Sequence, residues 1–161
     1  MEDHYQQLLS QLLQEEDVLQ FTAFTNEMAL EVGLKLVEAA RSAAKGVTVD
    51  ICRNGQQLFH HALAGTSADN DEWIKRKNRV VNRFGHSSYY MGISYKAKNT
   101  TIQDSSLLDP REYAAHGGAF PIIIKQVGVV GTITVSGLPQ QEDHQLVVRV
   151  LTDYVGVSLE E

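Results

Sequence analysis

Cysteine is almost missing from this chain, and so are proline, tryptophan and any long apolar run. A single Cys among 161 residues cannot close an internal disulfide. That excludes a disulfide-stapled scaffold and points to a reducing cytoplasm. Three prolines exclude a Pro-rich design. No stretch approaches the ~20 apolar residues that a membrane span needs. The opening MEDHYQQLLSQLL carries acids and lacks the basic and apolar blocks of a secretory signal, so no membrane partner is expected. Positive charge is also short, with 14 Lys and Arg against 20 Asp and Glu and a formal net charge of -6. That balance argues against nucleic acid as a partner. The chain is otherwise 43% hydrophobic and 21% charged, as soluble globular proteins are. Its length suits one domain with one core over residues 1–161.

Residues 1–20 read as an N-terminal helical arm, with Tyr5, Leu8, Leu9, Leu12 and Leu13 at helical spacing. The arm packs either on its own domain or on a neighbouring subunit. Thr25 can cap a second helix to about Lys45, stopped by Gly46, with Met28, Val32, Leu36, Ala40 and Ala44 in one stripe. Val47–Arg53 alternates as a strand, and Asn54-Gly55 is the strongest short-range hairpin signal. Regular pairing from that turn sets Asp50 opposite Phe59 and Thr48 opposite His61. His61 then lies diagonal to Asp50 on the face that also carries Cys52. Asp69 or Asn70 can cap a third helix through Trp73, Ile74, Val80, Val81 and Phe84, ended by Gly85. Ser87 or Ser88 opens a fourth. Residues 100–115 read as a loop with one turn of helix at Asp109-Pro110. A fifth strand near 60–65 or 100–104 is left open.

The stretch from His116 to Val150 organises the rest. A Gly pair leads into Phe120–Lys125, a tight turn leads to Val129–Ser136, and a Ser-Gly-Leu-Pro corner starts a helix to about Leu159. The order is α-α-β-β-α-α-β-β-α. Hairpins joined by helices give an α+β fold with helices on an antiparallel sheet.

Candidate chemistry gathers in three places. Gly117 and Gly118 allow positive φ and close approach of a ligand, with His116 beside them as acid, base or axial ligand; the alternative is that they only permit the turn into Phe120. Lys75, Arg76, Lys77, Arg79 and Arg83 crowd one helix. Most of them read as solvated or paired with Asp71 and Glu72, leaving Arg76 and Arg79 as the anion contacts. Trp73, on the same helix, lines either a pocket or the core. The histidines lack metal-ligand spacing. Cys52 and Asp50 with His61 fall in a line along a sheet and do not surround a substrate. Glu142 and Asp143 read as first-turn acids that favour the helix dipole.

Two of these stretches, HGGAFPI and GVVGTITVSGLPQQEDHQL, resemble the haem-degrading-domain family (GlcG/HbpS-like), specifically its uncharacterised cytoplasmic branch. DEWIKRKNRVVNRFGHSS and VTVDICRNGQQLFHHAL are similar as well, so the resemblance runs from about residue 25 onward. It implies a profilin-like sandwich and dimers stacked into larger homo-oligomers. It also implies haem as a ligand in the extracellular branch. That branch's iron-binding Glu-x-x-Glu pattern has only Gln14-Glu15-Glu16 as a counterpart here. The expected function is binding of a small anionic or haem-like ligand by Trp73, Arg76, Arg79, His86, His116, Gly117 and Gly118. The alternatives are an interaction module with a vestigial pocket and a small-molecule enzyme using a His base.

Overall fold

A computed structural model describes residues 2–159. Ten elements follow in order: α1 (Glu2–Val18), α2 (Asn26–Ser42), β1 (Thr48–Arg53), β2 (Gln56–Ala62), α3 (Ala68–Phe84), α4 (Ser88–Ala97), α5 (Ile102–Ser106), β3 (Ala119–Ile124), β4 (Gly128–Ser136) and α6 (Gln140–Val155). The strands form one antiparallel sheet in the order β2-β1-β4-β3. The fold is α+β, as the strand and helix patterns imply, with α5 as an extra short helix. Thr101 caps α5 by accepting from the Asp104 N–H at 3.1 Å, so 100–104 starts a helix and adds no strand.

The two central strands decide what packs where. Val49 and Ile51 of β1 and Ile133 and Val135 of β4 are wholly buried. With Val47 they join one apolar cluster with Val32 and Leu36 of α2 and Val147 and Leu151 of α6. The alternate residues Thr48, Asp50, Thr132, Thr134 and Ser136 are buried too, and α3 covers them. Antiparallel strands give each face every second residue, so one face is hydrocarbon and the other polar. Gly131 of β4 sits where a Cβ would meet the Cys52 carbonyl of β1. Its close approach is therefore to a neighbouring strand.

Several boundaries differ from the sequence expectation. Helix α2 stops at Ser42, and Ala44 takes the positive φ (55°) in the turn before Gly46. Ser67 caps α3: its Oγ accepts from the Asp69 N–H, and its own N–H donates to Oδ1 of Asn70, which lies inside the helix. Gly156, with φ of 77°, ends α6 at Val155. The hairpin register also shifts. Ile51 pairs with Phe59 but Cys52 pairs with Gln57, so Leu58 is an extra residue in β2. Such a bulge moves every later residue of the strand to the other face. His60, not Phe59, stands opposite Asp50, and His61 pairs with Val49 and leaves the Asp50 face. The arm α1 packs on α4 of its own chain. Leu12 is 1% exposed, and Glu15 and Glu16 are buried against His144 and His86.

Candidate functional site

The loop before β3, the corner after β4 and the middle of α3 meet around a cavity of about 290 Å³. Its walls are Asn70, Trp73, Lys77, His116, Ser136, Gly137, Leu138, Gln140 and Asp143. Positions 70, 73 and 77 project from neighbouring turns of α3. Of the basic run on α3, Lys77 is the one drawn inward, and it is the only buried Lys or Arg among the described residues. Its Nζ donates to Val135 O at 3.2 Å and to Asp143 Oδ2 at 3.2 Å. Asp143 Oδ1 accepts from the Leu138 N–H at 2.9 Å. The acid of the first turn of α6 thus folds back on its own corner and balances a buried ammonium. Burial pushes the Lys77 amine below its usual range and the Asp143 carboxyl up to about 6, while their mutual attraction works against both shifts.

The His116 ring stands at the mouth, edge-on to Trp73 with centroids 5.3 Å apart and planes at 72°. Desolvation, then the charges of Lys77, Arg76 and Lys96, push His116 below its ordinary value. The ring is therefore neutral near pH 7 and able to accept a proton. Arg76 stacks on Trp73 with its Cζ 4.5 Å from the ring centroid. Its Nη2 donates to Pro110 O at 2.7 Å, and its Nε is buried without a partner. The Gly117 N–H donates to Gln140 Oε1 at 3.0 Å. Gly118 has φ of 139°, and a Cβ there would lie 2.6 Å from Lys77 Nζ. Only glycine leaves room for that amine.

Of the residues expected at a site, Trp73 and His116 line this cavity, and Arg76, Gly117 and Gly118 sit directly behind them. Arg79 instead lies on the surface with Glu112, at 3.3 Å from its Oε2. His86 faces α1, its Nδ1 2.8 Å from Glu16 Oε1. Lys77 and Asp143 were not among the expected residues. Their signal was periodic: Ile74, Lys77 and Val81 share one buried stripe, as do Asp143, Val147 and Val150.

A second polar cluster lies under the other flank of α3. Asp50 is 3% exposed and accepts from Gln57 Nε2 at 2.7 Å and Cys52 Sγ at 3.2 Å, with His60 Nδ1 at 3.0 Å. Burial, then the charge of Asp50 and the bond to it, pushes the Cys52 thiol up to about 12. It is no thiolate at neutral pH, so it lacks the form that attacks. Among the described residues no group of three or more His, Cys, Asp or Glu could hold a metal ion, and no helix is long and apolar enough to cross a membrane.

Residues 24–152 match the family model described as "Haem degrading protein HbpS-like". The chain belongs to the HbpS-like family. Its relatives include a UPF0303 protein of Streptomyces coelicolor, 53% identical over 148 residues that cover 92% of this chain and 94% of that one. The crystal structure of the Ybr137w protein superposes with a TM-score of 0.86 at 35% identity, covering 92% of this chain and 88% of that one. The crystal structure of a PduOC:haem complex shares the fold alone, with a TM-score of 0.64 at 13% identity and coverage of 83% and 95%.

Haem does not fit the cavity beside His116. Pockets for drug-sized ligands run from about 300 to 1,000 Å³ and are mostly apolar, and a porphyrin is a larger, rigid apolar disc. This cavity is about 290 Å³, with only Trp73 and Leu138 as large apolar walls. The floor is an ion pair. A roomier groove of about 700 Å³ lies along α1 beside Leu159, but its walls are mainly Gln6, Gln7, Gln11, Gln14 and Glu15, without a His, Cys or Met for an axial position.

Proposed function

We propose that this chain is a binding protein for a small polar anion, a carboxylate or phosphate, held in the cavity between Trp73, Lys77 and His116. Buried Lys77 carries the reading. An ammonium has three donors, and Val135 O and Asp143 take two. The third is left for an occupant of the cavity that Lys77 lines. Arg76 adds a second cation behind Trp73, so the wall stays net positive with Asp143 ionised. Charge-assisted bonds made away from water are the strong ones. The reading retains Trp73, Arg76, His116, Gly117 and Gly118 from the expected set and adds Lys77. Arg79 and His86 lie outside it. Haem relatives supply the precedent for a ligand on this fold, and the size and polarity of the cavity favour a smaller one.

Trp73 is the only tryptophan, so its fluorescence reports the cavity directly. Titration with phosphate, and separately with pyruvate, is expected to give a saturable change that Lys77→Met abolishes. A linear change, or one that survives Lys77→Met in a folded variant, removes the proposal.

The reading also includes self-association in a reducing cytoplasm. Leu30 and Leu34 are 47% and 54% exposed, one turn apart on α2. They lie on the helix whose Gly33 packs on Phe59 of the free-edged strand β2. An apolar strip on an edge-strand flank is a surface that copies cover. Light scattering should give a mass above 17.9 kDa, reduced to monomer by Leu30→Glu with Leu34→Glu. A monomeric parent chain would refute it.

A further inference from the structure

We propose that Lys77 is a nucleophilic amine that captures the carbonyl group of a small oxo acid as an imine. This rests on the anion-binding reading and adds covalent chemistry to it. The carboxylate beside the ammonium compensates its burial and can also take its proton. Here Asp143 Oδ2 lies 3.2 Å from Nζ, which gives the amine a proton acceptor at hand. Val135 O fixes the amine from a second side at 3.2 Å. Gly118 removes the side chain that would otherwise stand against it. Burial acts on the pair toward the neutral amine and the neutral acid, and a desolvated lysine is the usual source of an imine-forming amine.

The rest of the cavity suits a carboxylate next to that carbonyl. Gln140 gives its Oε1 to the Gly117 N–H, so its NH₂ remains a donor. Asn70 gives its Oδ1 to the Ser67 N–H and one N–H to Ser136 Oγ, so one N–H remains. Neutral His116 at the mouth can move a second proton. The cavity of about 290 Å³ limits the substrate to a few carbons.

The step balances without any oxidant or reductant. The ammonium of Lys77 passes one proton to Asp143. The Nζ lone pair forms a bond to the carbonyl carbon, and the C=O π pair moves to oxygen, which takes that proton from Asp143 and becomes a hydroxyl. Nitrogen loses its second proton to His116, which passes it on to the hydroxyl. Water departs with the C–O bond pair as the nitrogen lone pair forms C=N, so ammonium and carbonyl become a protonated imine and water.

The test uses the full chain with pyruvate as probe and cyanoborohydride to reduce any imine to a stable secondary amine, followed by intact-mass measurement and peptide mapping. One adduct on Lys77 is expected, absent in Lys77→Arg and formed about a hundredfold more slowly in Asp143→Asn. Should Lys77→Arg fail to fold, protection of Lys77 in the parent chain by excess phosphate serves instead. Trp73 fluorescence is followed on the same samples without hydride. A saturating Trp73 signal with Lys77 unmodified, or with adducts spread evenly over exposed lysines such as Lys75, overturns the imine and leaves anion binding standing. No fluorescence change and no adduct overturns both.

Discussion

One face of the sheet packs hydrocarbon and the other packs polar groups, and both are supplied by the same two strands. Under α2 and α6, Val49, Ile51, Ile133 and Val135 are held by area alone, at about 25 cal/mol per Å² removed from water. Under α3, the buried groups are Thr48, Asp50, Thr132, Thr134 and Ser136 of the strands, met by Lys77 of α3 and Asp143 of α6, and each buried polar group costs free energy unless a partner is in place. Most have one. Asp50 meets side chains of Cys52, Gln57, His60 and Asn78, and Thr134 bonds Asn78. Thr48 and Thr132 hydroxyls stay without partners. The first face tolerates any well-shaped apolar residue. The second demands specific partners, which is a poor way to gain stability and a good way to line a polar cavity.

The sharpest way to break this comparison is to remove one half of the buried pair. Lys77→Ala or Asp143→Ala leaves an uncompensated charge and should cost about 3–5 kcal/mol in urea unfolding. Lys77→Met combined with Asp143→Leu should recover most of that while the Trp73 response to anions stays lost. If the double variant is as unstable as either single one, the pair is holding the fold together and the polar face is structural.

Neighbouring residues on β4 give a finer test. Ile133→Val on the hydrocarbon face should cost about 0.5–1.5 kcal/mol. Thr134→Val on the polar face keeps shape but strips Asn78 of a donor, and should cost about 1–3 kcal/mol. The reverse order would mean that the polar network contributes little, and that water replaces its bonds.

How much of this was legible in the sequence follows from the same division. The hydrocarbon face could be read because burial leaves a periodic mark: Val47, Val49 and Ile51 alternate, and Asn54-Gly55 takes the positive φ pair (50° and 81°) of the expected turn. The Thr25 cap was legible for a local reason, accepting from the Met28 N–H. Trp73 and His116 could be chosen as candidates by residue type, although only tertiary packing brings α3 against the loop before β3. What sequence rules missed was polar burial. Lys77 lies in a basic run, and such runs are usually solvated, so its residue type masks its position in the Ile74–Val81 stripe. Asp143 looked like a dipole partner for the same reason. The bulge at Leu58 has no Gly or Pro to mark it, and it replaced His61 by His60 beside Asp50.

Polar chemistry should matter on this protein only where water is excluded, and α1 offers the contrast in one pair of adjacent residues. Glu15 meets His144 at 2.7 Å with both buried, whereas Glu16 meets His86 at 2.8 Å with the histidine side chain 38% exposed. The hydrogen bond that His86 donates to Glu16 raises its pKa above the usual 6.5; desolvation opposes this with a smaller effect, and the Glu16 charge adds the least. A raised histidine binds its proton more tightly folded than unfolded. Its contribution is therefore complete below the unfolded value near 6.5 and is lost as pH rises through the higher folded value. Solvent screening at that exposure limits the effect to about 0.5 kcal/mol or less. Urea unfolding at about pH 6 and about pH 8 should show this small loss in the parent chain and none of it in His86→Gln, the other titrations being common to both. A loss several times larger in the parent would mean that the Glu16 pair is shielded as Lys77 is, and that release of α1 is coupled to loss of the His86 proton.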